Sequence, residues 1–267
     1  MISIYTIHYN KPEYLELQYN SLKRYCMEEF NYIVMNNGQT DELKMQISDL
    51  CKKYNIYEIP FDNPSVQPLS SNNHITAIKH LYQNYINKDS LNTKVVMDSD
   101  IFAFKGFSFY NILEGYDVIG LSMIDYFSAI FTMYSSNIDL SNFEIDGQSC
   151  DTGSGTGSLI LKHKTKGILH TGVINQKEAE YIFKDFDCNP SEFARWSFHF
   201  ISDCFVHYYK GSGWAIDDEE YHQKKFSFLL NFLDNSDSYN LNLDDKVWYE
   251  LALCEQFFRP QLYKFLN

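Results

Sequence analysis

Two carboxylates one residue apart, Asp98 and Asp100, directly follow an apolar run rich in β-branched residues, in the stretch TKVVMDSDIFAFKG from Thr93 to Gly106. In an extended segment residues two apart project to the same side of the backbone, so these carboxylates can converge. At the mouth of a buried strand such a pair repels unless a cation lies between, and a hard divalent ion with oxygen ligands suits the place. The alternative is a polar turn in which Asp98 or Ser99 caps a following helix. Two later stretches also carry chemistry. SCDTGSGTGSLIL opens near Asp151 and packs three glycines, two threonines and three serines into a dozen residues. Glycine permits close backbone approach, and the hydroxyls suit a polyhydroxylated ligand. A phosphate-cradling loop would need a Lys after the last Gly, and there is none. In DCFVHYYKGSGWAID, His207 ends a strand-like run, and Lys210 to Trp214 form a tight polar loop.

These residues need elements to position them. Ile2 to Ile7 reads as a buried strand, and His8 to Pro12 as the turn leaving it. Tyr14, Leu15, Leu17, Leu22 and Tyr25 then recur at roughly helical spacing behind Pro12. A second strand, Phe30 to Met35, ends in Asn36, Asn37 and Gly38. Asp41 to Tyr54 is helical, and Ile56 to Ile59 is a short strand. A loop with three prolines, Pro60 to Asn73, leads into a helix through His74, Ala77, Ile78, Leu81 and Tyr85. Strand and helix alternating with short connections predicts an α/β fold with a mostly parallel central sheet. In such a sheet ligands collect outside the carboxyl ends of the strands, where His8 to Asn10, Asn36 with Asn37, the proline loop and the Asp pair all fall. Tyr116 to Leu121 and Ile124 to Tyr134 read as further strands. From Asp218 onward the pattern is helical, with Phe226, Leu229, Leu230 and Leu233 on one face and a second helix from Asp244 to about Phe258. Those faces could pack on the sheet or on another subunit, and a homodimer through them is one expectation.

Composition sets bounds. The chain has 267 residues, 45% hydrophobic and 17% aromatic, and a formal charge of −13 with scattered basic residues. That charge argues against a nucleic-acid partner, which needs clustered Lys and Arg. The six cysteines show no close pairing and no regular spacing, so neither a zinc site nor a disulfide framework is expected. No leader pattern and no apolar stretch of membrane-spanning length is present, so a soluble cytoplasmic protein is the expectation. The abundance of Asn, Ile, Lys and Tyr hints at an AT-rich genome, bacterial or viral.

The first half resembles the GT-A glycosyltransferases, in particular the large inverting, family-2-like group. The residues that carry the likeness are ISIYTIHYNKPEYLELQYNSL, then YIVMNNGQTDEL, then VVMDSDIF as the Asp-x-Asp motif, in order and at family spacing over about residues 1 to 125. The resemblance implies a GT-A domain over 1 to 216, its nucleotide-sugar half at 1 to 125 and its acceptor half at 126 to 216, with a helical extension at 217 to 267. It implies that Thr6 and Tyr9 lie near the nucleotide base and that Asn36, where the family commonly has Asp, faces the base edge. Asp98 with Ser99 would approach the ribose or the metal, and Asp100 would bind the metal. His74 falls where related enzymes place a residue near the donor sugar or phosphates. A cap or surface contact at a helix start is its other reading.

The same resemblance gives the second half its roles. In several GT-A groups a late His, a Gly-containing loop and a Trp complete the metal site, and HYYKGSGW looks like that element. His207 would add an imidazole to the oxygen ligands, which favours Mn²⁺ over Mg²⁺. Lys210, Ser212 and the loop amides would neutralise the departing phosphate. Asp151 is the first choice for the base that deprotonates the acceptor hydroxyl, with Glu144, Asp146 and Asp125 as substitutes, and capping of a turn as its other reading. The activity implied is metal-dependent transfer of a sugar from a nucleoside-diphosphate donor, first a UDP-sugar, to a glycan hydroxyl, with inversion on the likeness of the N-terminal half, whereas the His and Gly-Trp loop also occurs in retaining groups. Two rivals stand beside it. A sugar-phosphate nucleotidyltransferase usually opens with a glycine-rich, Arg-containing loop, which TIHYNKPEY lacks. A carbohydrate-binding module would have no need of Asp98, Asp100 and His207.

Overall fold

The structure, a computed structural model, describes residues 1–64, 71–90, 92–122, 127–141, 143, 163–168, 170–172, 198–208 and 219–236. Asp125, Glu144, Asp146, Asp151, Lys210, Ser212 and the expected helix from Asp244 lie outside the described residues.

The chain opens with β1 (Ile2–His8), buried at every position, then α1 (Pro12–Tyr25), β2 (Phe30–Asn36), α2 (Asp41–Tyr54) and β3 (Tyr57–Pro60). Pro12 at the first turn of α1 needs no amide partner there. At α2, Thr40 accepts a hydrogen bond from Leu43 N, and Asp41 and Glu42 face the positive end of the helix dipole. Asn55 ends α2 at φ 53°, a left-handed conformation that Asn tolerates better than most residues. Next come α3 (Ser71–Asn84), β4 (Thr93–Met97), β5 (Ile101–Ala103), α4 (Phe109–Leu113), β6 (Val118–Ser122) and β7 (Phe127–Tyr134). The described remainder is β8 (Thr165–Ile168), β9 (His170–Gly172), β10 (His199–Ile201), β11 (Phe205–His207) and α5 (Glu219–Asn235).

The strands form two sheets. A seven-stranded sheet has the order β3-β2-β1-β4-β7-β6-β8, parallel throughout except where β7 runs antiparallel to β4 and to β6. This is the mixed α/β architecture with a mainly parallel central sheet that the alternating pattern predicts. The period of two sorts its side chains. Ile2, Ile4, Val34, Val95 and Met97 face α1 and α2 with Leu15, Leu22 and Ile47, while Tyr5, Ile7, Met35, Ile59 and Val96 face α3 with Ala77, Ile78 and Leu81. Fully burying each large apolar side chain contributes about 1.5–3 kcal/mol, which makes these two layers the main cohesive term.

A four-stranded sheet, β5-β11-β10-β9, is antiparallel and stands apart. The apolar run after the Asp pair therefore does not continue the central sheet. It crosses into the second one as β5. Helix α5 covers the start of α1 and the end of β11, through Phe226 against Tyr14, His222 against Tyr208 and Phe232 against Phe104. Of the face expected to pack on the sheet or on another subunit, Leu229 and Leu233 are buried within the chain, as is Phe232, while Leu230 is exposed. Among the described residues no helix is long and apolar enough to cross a membrane. Cys26, Cys51 and Cys204 are free thiols.

Candidate functional site

β1, β2 and β4 run parallel, so their carboxyl ends share one edge of the sheet. There the chain leaves the sheet as a tight turn, with Ile101 N donating to Asp98 O at 3.3 Å. Asp98 and Asp100 thus sit on a turn and not on an extended strand, and the alternation that would aim both carboxylates one way does not apply. Each meets a different imidazole. His74 Nε2, in the first turn of α3, is 3.6 Å from Asp98 Oδ1, and these side chains are 31% and 25% exposed. His207 Nε2 is 3.2 Å from Asp100 Oδ1, with 4% and 9% exposed.

The backbone of the turn is held on several sides. Asp98 N donates to Ile130 O of β7 at 2.8 Å, and Tyr208 N donates to Asp100 O at 2.9 Å. Gln18 Nε2 of α1 donates to both Asp98 O and Ile101 O at 2.7 Å. The β5–β11 register sets His207 opposite Ile101, which is how a histidine so distant in sequence arrives beside Asp100. Tyr208, the next residue, is gripped by α5: its ring lies 4.1 Å from Lys225 Nζ, and its hydroxyl is 2.9 Å from His222 Nδ1.

Beneath the turn lies a buried polar group. His8 is fully buried, with Nε2 3.4 Å from the Tyr32 hydroxyl, and that hydroxyl donates to Gln18 Oε1 at 2.5 Å. Burial pushes the His8 imidazole down to about 3, against opposing contributions from Gln18 and Asp100, so His8 is neutral at physiological pH. Thr6 lies on the same face of β1, also fully buried.

The other expected base-side residues are placed as follows. Tyr9 is half-buried, and burial raises its phenol. Its neighbour Asn10 donates to Gln39 Oε1 at 3.0 Å and accepts from Gln39 N at 3.2 Å, linking the first two strand-to-helix turns. Asn36 is buried and engaged within the chain. Its Nδ2 reaches Lys44 O at 2.8 Å, Glu58 Oε1 at 2.7 Å and Ser48 Oγ at 3.2 Å, while its Oδ1 accepts from Gly38 N. A Cβ on Gly38 would stand 2.8 Å from Lys44 N, so no larger residue fits that turn. Ser99 is half-buried between the two aspartates.

The structure therefore brings Asp98, Ser99, Asp100, His74 and His207 to one turn, with Thr6 buried below it. The sequence reading missed Gln18 and Tyr32 and took His8 only as part of a turn. A polar residue on the apolar stripe Tyr14, Leu15, Leu22, Tyr25 was the available signal for Gln18. Also unforeseen is a cluster of amides in which Asn37 Nδ2 donates to Asn73 Oδ1 at 3.0 Å and Asn63 Nδ2 donates to Asn37 Oδ1 at 3.1 Å. Among the described residues no three His, Cys, Asp or Glu side chains gather closely enough to hold a metal ion by themselves.

No family model and no curated protein matches the chain. Many solved structures are similar in part, three of them as follows. Residues 1–349 of Staphylococcus aureus TarS share 15% identity at a TM-score of 0.37, covering 55% of this chain and 50% of that one. The Streptococcus pneumoniae TIGR4 glycosyltransferase GlyE shares 15% at 0.39, covering 90% and 65%. The bifunctional glycosyltransferase WbbM shares 12% at 0.33, covering 60% and 32%. The chain thus spans less than two thirds of each, and similarity at this level transfers no activity.

Proposed function

We propose that the chain is a metal-dependent glycosyltransferase that moves a sugar from a nucleoside-diphosphate donor, first a UDP-sugar, to a hydroxyl of a glycan acceptor with inversion. The observation that carries the reading is the carboxylate turn beyond the parallel strands, with His207 delivered to Asp100 by a separate sheet. The order of the three N-terminal motifs supports it from the sequence side.

The donor set fits a hard divalent ion. Two carboxylates and an imidazole are oxygen-rich with one nitrogen, which suits Mn²⁺ or Mg²⁺. Asp98, Asp100 and His207 are not gathered closely enough to hold it by themselves, so they would have to close around the ion, and its remaining positions would go to phosphate oxygens and water, as ions of this class do beside substrate phosphates. Asp98, Asp100 and His207 would hold it. When bound it supplies positive charge against the departing diphosphate. The chain's own residues do the rest: the backbone clamps fix where the carboxylates stand, and His74 stands beside Asp98 on the more open side. Lys210 and Ser212 are assigned to the phosphates, and Asp151 to taking the acceptor proton.

The test is calorimetric titration of UDP, GDP and dTDP with Mn²⁺ and with EDTA, on wild type and on Asp98→Ala. The expected result is binding of one nucleotide that EDTA abolishes and the substitution weakens at least about tenfold. No binding of any of the three in the presence of Mn²⁺ overturns the reading.

A further inference from the structure

Helix α1 buries Tyr14, Leu15, Leu22 and Tyr25, an apolar stripe interrupted by Gln18 and Ser21. We infer that Gln18 is the positioning residue of the carboxylate turn, its side-chain amide fixing Asp98 and Asp100 in the arrangement that meets the donor. What the turn binds rests on the proposed function; how the turn is held rests on the hydrogen bonds alone.

The need arises from the fold. At Asp98 the chain leaves the central sheet, and at Ile101 it enters the second, so the residues between lie outside both sheets, with only Tyr208, just past β11, bonded to Asp100 O. The bond closing the turn is long, 3.3 Å. Gln18 Nε2 reaches Asp98 O and Ile101 O, the first and last carbonyls of the turn, at 2.7 Å each. One NH₂ group carries two hydrogens, and each goes to one end. An apolar side chain of equal length would fill the space and lose both clamps.

The chemistry of the partners dictates the amide's orientation. Carbonyl oxygens only accept, so the nitrogen of Gln18 must face them and Oε1 must face Tyr32. The Tyr32 hydroxyl has a single hydrogen and gives it to Oε1. It then offers only a lone pair to His8 Nε2, which must carry the imidazole proton. His8 Nδ1 is left unprotonated, buried and without a hydrogen-bond partner. A chain of single-direction bonds thus runs from His8 through Tyr32 and Gln18 to the turn.

Ser21, one helical turn further along α1, supplies the control. Its Oγ accepts from Ala103 N at 3.2 Å and donates to Gln18 O at 2.9 Å, so it holds β5 beyond the turn and not the turn itself. A residue that only stabilises the helix against the sheet would behave like Ser21.

The experiment compares Gln18→Met, Tyr32→Phe and Ser21→Ala in the full chain, by thermal melting, by titration of UDP with Mn²⁺ (GDP or dTDP if wild type prefers it), and by ¹⁵N NMR of the histidine rings. Gln18→Met should melt cooperatively and bind the nucleotide about 30-fold more weakly, the equivalent of two lost hydrogen bonds. Ser21→Ala should lose comparable thermal stability and stay within about threefold of wild-type affinity. Wild-type affinity in Gln18→Met, or an equal loss in Ser21→Ala, overturns the inference. If Gln18→Met does not fold, Tyr32→Phe decides, with weakening expected and wild-type affinity counting against. The NMR arm needs no nucleotide. It should show His8 protonated on Nε2 in wild type, and His207 resonances that move in Gln18→Met but not in Ser21→Ala. A wild-type His8 protonated on Nδ1, or unmoved His207 resonances, sinks the inference. Failure of wild type to bind any of the three nucleotides sinks the glycosyltransferase reading and leaves the NMR result to judge Gln18.

Discussion

Asp98 with His74 and Asp100 with His207 are the same chemistry two residues apart, placed in different surroundings. The inner pair is 9% and 4% exposed and 3.2 Å apart, lodged between two sheets. The outer pair is 25% and 31% exposed and 3.6 Å apart, at the start of a helix. A carboxylate shut away from water depends on its partner, because its desolvation is not repaid by solvent when the partner goes. One that stays wet does not. The inner pair therefore belongs to the fold as much as to the chemistry, whereas the outer pair keeps its contact with water.

Removing the inner imidazole is the hardest test of that contrast. His207→Ala leaves Asp100 buried without it and should cost about 3 kcal/mol in a urea unfolding curve. A cost indistinguishable from that of the outer pair would erase the distinction. Cys204 gives a second readout, since it is buried and its carbonyl accepts from Phe104 N just past the turn. Its thiol is pushed up by burial first and then by Asp203, so it should resist alkylation in wild type and react faster in the variant.

Acid probes the same dry region with a somewhat smaller effect. His8 is held down to about 3 by burial, from an ordinary value of 6.5. A base whose folded value is depressed takes up its proton more readily in the unfolded chain, so stability falls as pH drops below 6.5 and goes on falling until about 3. Between pH 6.5 and 5 the loss should reach about 1.6 kcal/mol, because at 6.5 the unfolded imidazole is half protonated and the slope approaches 1.36 kcal/mol per unit only below that. His8→Asn should flatten that part of the curve in pH-dependent denaturation. An unchanged slope would mean that His8 is not closed to water in solution.

How much of this could be read beforehand follows from the same two pairs. The strands beneath them were legible because Ile2 to Ile7, Phe30 to Met35 and Val95 to Met97 are apolar runs bounded by polar turns, a local signal. Helix α2 was legible in its bounds, Asp41 to Tyr54, and the structure adds the Thr40 cap that fixes its start. The Asp pair was visible as residues, but its geometry was not, since the same letters serve an extended strand and a tight turn, and only the departure of β5 to another sheet selects the turn. Nothing local to His207 says that it pairs opposite Ile101; an antiparallel register between distant segments leaves no trace in either. Gln18 showed itself as a polar break in an apolar stripe, yet its partners are backbone carbonyls, which every residue possesses and no sequence distinguishes.

The outer pair gives the smallest stability effect and the sharpest separation. His74 and Asp98 keep about a quarter to a third of their side-chain surface in water, so their attraction is screened and its loss is partly made good by solvent. His74→Ala should change unfolding free energy by less than about 1 kcal/mol. If the outer pair opens toward the donor, the same substitution should still weaken Mn²⁺-dependent nucleotide binding by about tenfold, because an imidazole beside Asp98 governs where that carboxylate points. A double substitution with Asp98→Ala refines the point: a shared role makes the two losses of affinity less than additive, whereas independent roles make them add. A His74→Ala protein that is markedly unstable would instead place the outer pair with the inner one, as structure first.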